Sequence, residues 1–293
     1  MVQKQWLVEV KNRLNIIDWA TIIYAFSTLV WILIFYNKIE LPFIKICFRF
    51  GVVLLIFFII KVNKSIKNIF TDFLRYFYPI ILLSYWYGET ADINKVIFEP
   101  FDNLLYNIDQ IVFGFQPSLK FSENYSSNFF SEIINFGYFS YYFLNIITFL
   151  LVYVYSKKQI LKAVFIMIVS FFIYYWIFIL FPVVGPQFWL PEALRSVPDG
   201  YIFREGVKLV QYIGEKPTGA FPSSHVGMTI IFLILTYQTT KKGFYLMLPV
   251  SIILGFATIY IKAHYFIDVI FGIFTGFLFY FISLKIFKIT TKK

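Results

Sequence analysis

Long apolar runs alternate along this chain with short polar breaks. Eight runs are long enough to cross a bilayer as helices, near 17–36, 43–61, 70–88, 131–155, 160–182, 222–239, 244–262 and 265–286. A helical span needs about 20 mostly apolar residues, so each run qualifies by length and composition. Residues 89–130 break the pattern. There EPFDNLLYNIDQIVFGFQPS mixes acids with apolar residues at helical spacing, which predicts one or two helices lying in the membrane interface rather than crossing it. The pattern as a whole predicts an all-α integral membrane protein. The N-terminal stretch lacks a small-residue cleavage site after a short apolar core, so the first run reads as a retained span rather than a removed leader.

Composition supports the membrane class. Of 293 residues, 59% are hydrophobic and only 14% are charged, whereas a soluble domain carries about 25% charged residues. The single cysteine, Cys47, excludes an intrachain disulfide and a cysteine-based metal site. The net charge of +10 raises nucleic acid as a partner, and the placement of the charges removes it. With a cytoplasmic N-terminus, short cytoplasmic flanks hold 16 of the 26 basic residues and the longer outer segments hold nine. Segment 89–132 alone carries seven acids against two lysines. The positive-inside rule then puts both termini in the cytoplasm and residues 89–130 and 184–221 outside.

That topology has a chemical consequence. The chain has only two histidines, in PTGAFPSSHVG (217–227) and KAHYFIDVIFG (262–272). The sixth and eighth spans both run inward, so His225 and His264 fall at outer helix starts, on one face and at one depth. Pro222-Ser223-Ser224 suits a helix N-terminus, whose free N–H groups and dipole favour phosphate. His264 and Asp268 stand i, i+4 on one helical face. A carboxylate there can fix the imidazole tautomer and leave the other nitrogen as a nucleophile. An acid inside an apolar run is costly and is usually kept for function.

Together, AFPSSH and HYFID resemble the motifs of the type 2 phosphatidic acid phosphatase superfamily. FDNLLYNIDQIVFGFQPS is similar to a segment of its inositol phosphorylceramide synthase-like branch. The resemblance implies a six-helix catalytic core over 70–288, with 1–69 as a two-span N-terminal addition and 289–293 as a cytoplasmic tail. It implies that His264 becomes a phosphohistidine, that Asp268 orients it, and that His225 protonates the leaving group. Ser223 and Ser224 would cradle the phosphate. It also marks two departures. The region matching the first motif reads FPVVGPQFW, with Gln187 near the place of an arginine, and Thr258 stands where the third motif has one. Gln187 and Lys262 therefore join the candidates for binding phosphate, and Lys216, Arg204 and Arg195 are further substitute cations.

The activity implied is metal-independent and cofactor-free transfer of a phosphoryl-linked group from a membrane lipid, with a polyol such as inositol as acceptor. With water as acceptor the same residues would make a lipid phosphate phosphatase. A proton-relaying transporter and an inactive lipid-phosphate binder are the readings from other classes. The expected location is the cell membrane, with the site on the extracytoplasmic face.

Overall fold

A computed structural model describes residues 14–292. Eleven helices are named here in chain order: α1 (Ile16–Ile34), α2 (Pro42–Ser65), α3 (Ile69–Ile93), α4 (Asp102–Phe113), α5 (Pro117–Asn124), α6 (Asn128–Tyr155), α7 (Ile160–Leu180), α8 (Ile202–Gly214), α9 (Ser224–Thr239), α10 (Lys241–Tyr260) and α11 (Phe266–Thr291). The described residues contain no strand. Six helices, α1, α2, α6, α7, α10 and α11, are long and apolar enough to cross a membrane. Two of the eight expected spans fall outside that set for visible reasons. The α3 helix carries Asp72, Arg75, Glu89 and Asp92, and α9 is only 16 residues long. Residues 1–13 and 293 lie outside the described part, so four of the counted cytoplasmic charges (Lys4, Lys11, Arg13 and Lys293) do too.

The helix starts follow local sequence. Asn15, Asn68, Ser127, Ser223 and Thr240 each accept first-turn N–H groups of the helix that follows, the usual work of an N-cap. In the bundle, α7 is central: α1, α3, α6, α9 and α11 all pack on it. Phe165, Ile166, Met167 and Ile168 are buried in succession. That is why its sequence is apolar all round, with no polar face to present.

Buried ion pairs fix the first two helices to α3. Arg49 on α2 grips Glu89 on α3 with two hydrogen bonds, 2.9 and 2.7 Å, and Arg75 on α3 pairs with Asp18 on α1. In an apolar surround each charge needs its partner, so these pairs set the register of the N-terminal helices.

At one end of the bundle lie α4, α5, α8 and the loops that hold the histidines. Residues 89–130, expected to hold one or two helices, hold two, α4 and α5. A third short helix, α8, falls in 184–221, read from sequence only as a long outer segment. It buries Arg204 and Val207 while Ile202, Leu209, Tyr212 and Ile213 are exposed. Its outer face mixes these apolar groups with the exposed Glu205 and Lys208, as in a helix lying at the boundary of lipid and water. Glu132 of α6 fixes its start by accepting from the N–H groups of Tyr201 and Phe203, both at 2.7 Å.

Candidate active site

Glycine brings the two histidine segments together. A Cβ at Gly272 of α11 would lie 2.7 Å from the Ser223 carbonyl oxygen, and one at Gly276 would lie 2.7 Å from that of Gly227. Only hydrogen fits at these positions, so α9 and α11 meet backbone to backbone, as small-xxx-small pairs allow in membranes. The starts of the two helices are thereby side by side. The Ser223 N–H also donates to the Asp268 carbonyl at 3.0 Å.

His225 Nδ1 consequently lies 3.2 Å from His264 Nε2. His264 Nδ1 lies 2.6 Å from the Ala220 carbonyl oxygen. A carbonyl can only accept, so Nδ1 carries the hydrogen and Nε2 turns its lone pair towards His225. The place expected for the Asp268 carboxylate is thus held by a backbone carbonyl. Asp268 Oδ2 stands back at 3.5 Å from Nδ1 and accepts from the Tyr265 N–H at 2.8 Å. Asp268 is fully buried, and its Oδ1 has no partner among the described residues. Its carboxyl group still lies on the Nδ1 side of the ring.

His264 sits between α10 and α11, only 2% exposed. Burial pushes its pKa down to about 4, against the opposing effects of the Ala220 carbonyl and the Glu215 charge. At neutral pH the ring is uncharged and Nε2 is free to act as a nucleophile. His225 lies on aromatic walls, its ring centroid 5.1 Å from that of Tyr138 and 4.3 Å from that of Tyr141.

Two helix N-termini converge here, and one is already occupied. Asp109 of α4 accepts from the N–H groups of Phe266 and Ile267, at 2.7 and 3.1 Å, which fills the start of α11. At the start of α9, Ser223 Oγ accepts from Val226 N at 3.4 Å and is fully buried. The Ser224 and His225 N–H groups and the Ser224 hydroxyl make no hydrogen bond among the described residues. The open N–H groups of the site therefore belong to α9, beside His225. A second buried acid of α4, Asp102, accepts from Val184 and Gly185 N–H at 2.9 and 2.8 Å and from the Tyr265 hydroxyl at 3.1 Å. The two α4 acids tie the interfacial helix to both loops that carry site residues. Sequence reading noted both acids only as part of an amphipathic helix. Their spacing of seven, two helical turns, was the available signal.

Three of the four expected substitute cations lie elsewhere, and the fourth, Lys216, follows Glu215 and is exposed. Lys262 bonds through Nζ to the Ser196 carbonyl, and Arg195 bonds to the carbonyls of Leu190 and Phe188. Arg204 is buried without a partner for Nε or Nη1, beside Tyr260 and Lys262 rather than the histidines. Thr258 serves through its carbonyl, which accepts the His264 N–H at 3.0 Å. Gln187 is hydrogen-bonded to a carboxylate: its Nε2 donates to Glu215 at 2.6 Å, and its Oε1 accepts from Gln211 at 2.7 Å. The other Glu215 oxygen accepts from the Tyr138 hydroxyl. An acid thus stands next to the histidines, where the sequence led to an expectation of positive charge.

Among the described residues no group of three or more His, Cys, Asp or Glu side chains is placed to hold a metal. No curated protein and no solved structure matches the chain. A sequence profile of one family does match, over residues 105–282. That span covers more than half of the chain and contains both histidines, Asp268, α4 from Leu105 onward and the glycine contacts, so the chain belongs to the PAP2 superfamily.

Proposed function

We propose that this membrane protein transfers a phosphoryl-linked group from a phosphodiester lipid to an alcohol through a phosphohistidine at His264, as in the inositol phosphorylceramide synthase-like branch. The observation that carries the reading is the histidine pair: a neutral His264 with Nε2 free, and His225 Nδ1 3.2 Å away. In the reactive state the anionic phosphate bound beside its ring makes His225 an imidazolium, and His264 is neutral. His264 Nε2 attacks phosphorus, the bond from phosphorus to the lipid alcohol oxygen breaks, and His225 gives that oxygen its proton. His225, now neutral, takes the proton of the incoming alcohol as its oxygen attacks phosphorus and frees His264. The N–H groups at the start of α9 hold the phosphate oxygens. Water in place of the alcohol gives hydrolysis by the same steps.

A phosphodiester carries about one negative charge and a monoester about two. No Lys or Arg side chain among the described residues is hydrogen-bonded to either histidine. A single imidazolium and one helix N-terminus match the diester better. The charge distribution along the sequence supports an extracytoplasmic site in the cell membrane. Acid-labile head-group label should be trapped on the protein after brief incubation with lipid donor. His264→Ala should abolish both the trapped label and turnover. A His264→Ala protein with normal turnover would end this mechanism.

A further inference from the structure

Glu215 is the charged group of this site that the transfer reaction leaves unused. It follows the last residue of α8, and both its oxygens are engaged by donors, Tyr138 on one and Gln187 on the other. Burial pushes the Glu215 pKa up, and the hydrogen bonds from Tyr138 and Gln187 work against that by favouring the carboxylate. Gln211 fixes the Gln187 amide in the orientation that donates. Tyr138 places the acid one ring away from His225, against which that ring lies. Tyr142 is next to Tyr138, with ring centroids 6.4 Å apart, and the Tyr87 hydroxyl donates to the carbonyl of Thr218, three residues beyond Glu215, at 3.4 Å. Glu215, Gln187, Tyr142, Tyr87 and His225 are all partly exposed, and the space beside them and the histidine pair is here called the recess.

Charge balance then decides what the recess accepts. A phosphate on the imidazolium of His225 and the start of α9 is balanced there. Glu215 is a second acid one tyrosine ring from His225, with no lysine or arginine among the described residues hydrogen-bonded to it. A ligand that carries its own positive charge two or three atoms from phosphorus would balance it. Tyrosine rings around a carboxylate are the surroundings that bind ammonium groups. We infer that the recess beside the histidine pair is a head-group pocket for an amine-bearing, zwitterionic phosphodiester lipid, the ammonium on Glu215 and the phosphate on His225 and the α9 N-terminus. This rests on the phosphohistidine reading only for the placement of the phosphate.

The test measures binding of short-chain phosphatidylethanolamine, phosphatidylcholine, phosphatidylinositol and phosphatidic acid to the purified full chain in detergent, beside turnover of each. The amine-bearing lipids should bind about 10-fold more tightly than the anionic ones, the effect of one charge-assisted hydrogen bond. Glu215→Gln should bring that ratio to within about twofold, and His264→Ala should leave it intact while turnover is lost. The proposal is overturned by equal or reversed preference in the wild type, by binding of none of the four, or by a preference that survives Glu215→Gln. Preference without turnover in the wild type would support the pocket and reject the transfer reaction. Turnover of an anionic lipid with no amine preference would do the reverse.

Discussion

At the scale of single residues, the feature with most chemical consequence is the environment of His264. An ordinary histidine is half protonated near pH 6.5, and burial moves His264 to about 4. The depressed pKa favours the neutral ring, so the nucleophile stays available as pH falls and is lost only when pH passes through about 4. A profile of kcat/KM against pH should therefore keep its acid limb below pH 5, since that ratio reports the free enzyme. An acid limb centred near 6.5 would mean that His264 is solvated. The second expectation concerns Asp268. Were this carboxylate the sole holder of the tautomer, its amide would cost about 10⁴-fold, as in a serine protease triad. Here the Ala220 carbonyl already accepts from Nδ1, so Asp268→Asn should lower kcat by about 10²-fold with KM little changed. A loss of the full triad size would show that the carboxylate moves in to bond the ring during turnover. The sequence made His225, His264 and Asp268 legible because their spacing is local or their chemistry rare. It could not disclose Ala220, because any residue supplies a carbonyl. Nor did it disclose Glu215, which reads as one acid in a mixed outer segment.

At the scale of helices, the apolar pattern located nearly every element to within a few residues, because membrane spans carry a long and simple signal. It did not say which helices touch. That information lay in Gly272-Ile-Phe-Thr-Gly276, a small-xxx-small pair inside an apolar run, and the hydropathy reading passed over it. Its consequence can be measured. In Gly272→Ala the new methyl would meet the Ser223 carbonyl oxygen, which is backbone and cannot turn aside. The α9 and α11 helices must part, and His225 moves with Ser223. We expect a loss of about 1–3 kcal/mol in unfolding stability from overpacking. A drop in kcat on the order of 10-fold or more should accompany it, because small misplacements are costly in a positioned pair. Gly255→Ala is the control. A Cβ there meets nothing within 4 Å, and alanine is the better helix former by about 1 kcal/mol. That variant should melt no lower than the wild type in detergent and keep its rate. Equal behaviour of the two variants would remove the helix contact as the device that joins the histidines.

At the scale of the molecule, everything chemical gathers at one end. The starts of α9 and α11, the acids of α4, the inner face of α8 and the 181–201 loop meet there, while α7 runs through a bundle apolar on all sides. An arrangement of this kind suits a reaction at the boundary of lipid and water. In the proposed transfer the lipid's glycerol would lie among apolar side chains, and the acceptor would reach the phosphate from the aqueous side. Geometry alone is silent on which side of the membrane that end faces, because a bundle has no orientation until charges are counted. The count is uneven: lysines flank the connections between α2 and α3, between α6 and α7, and between α9 and α10, and Lys285, Lys288 and Lys292 lie near the end of α11. Segment 89–132 is acidic. Lysine-rich short connections stay in the cytoplasm, which predicts that the histidine end faces out. Ser126 and Ser196 are exposed on that end, and Thr240 lies between α9 and α10 at the other. With Cys47 replaced by serine, a cysteine at Ser126 or at Ser196 should react with an impermeant maleimide in intact cells. A cysteine at Thr240 should react only after permeabilisation. The opposite pattern would move the chemistry to the cytoplasmic leaflet, where the candidate lipids and alcohols are a different set.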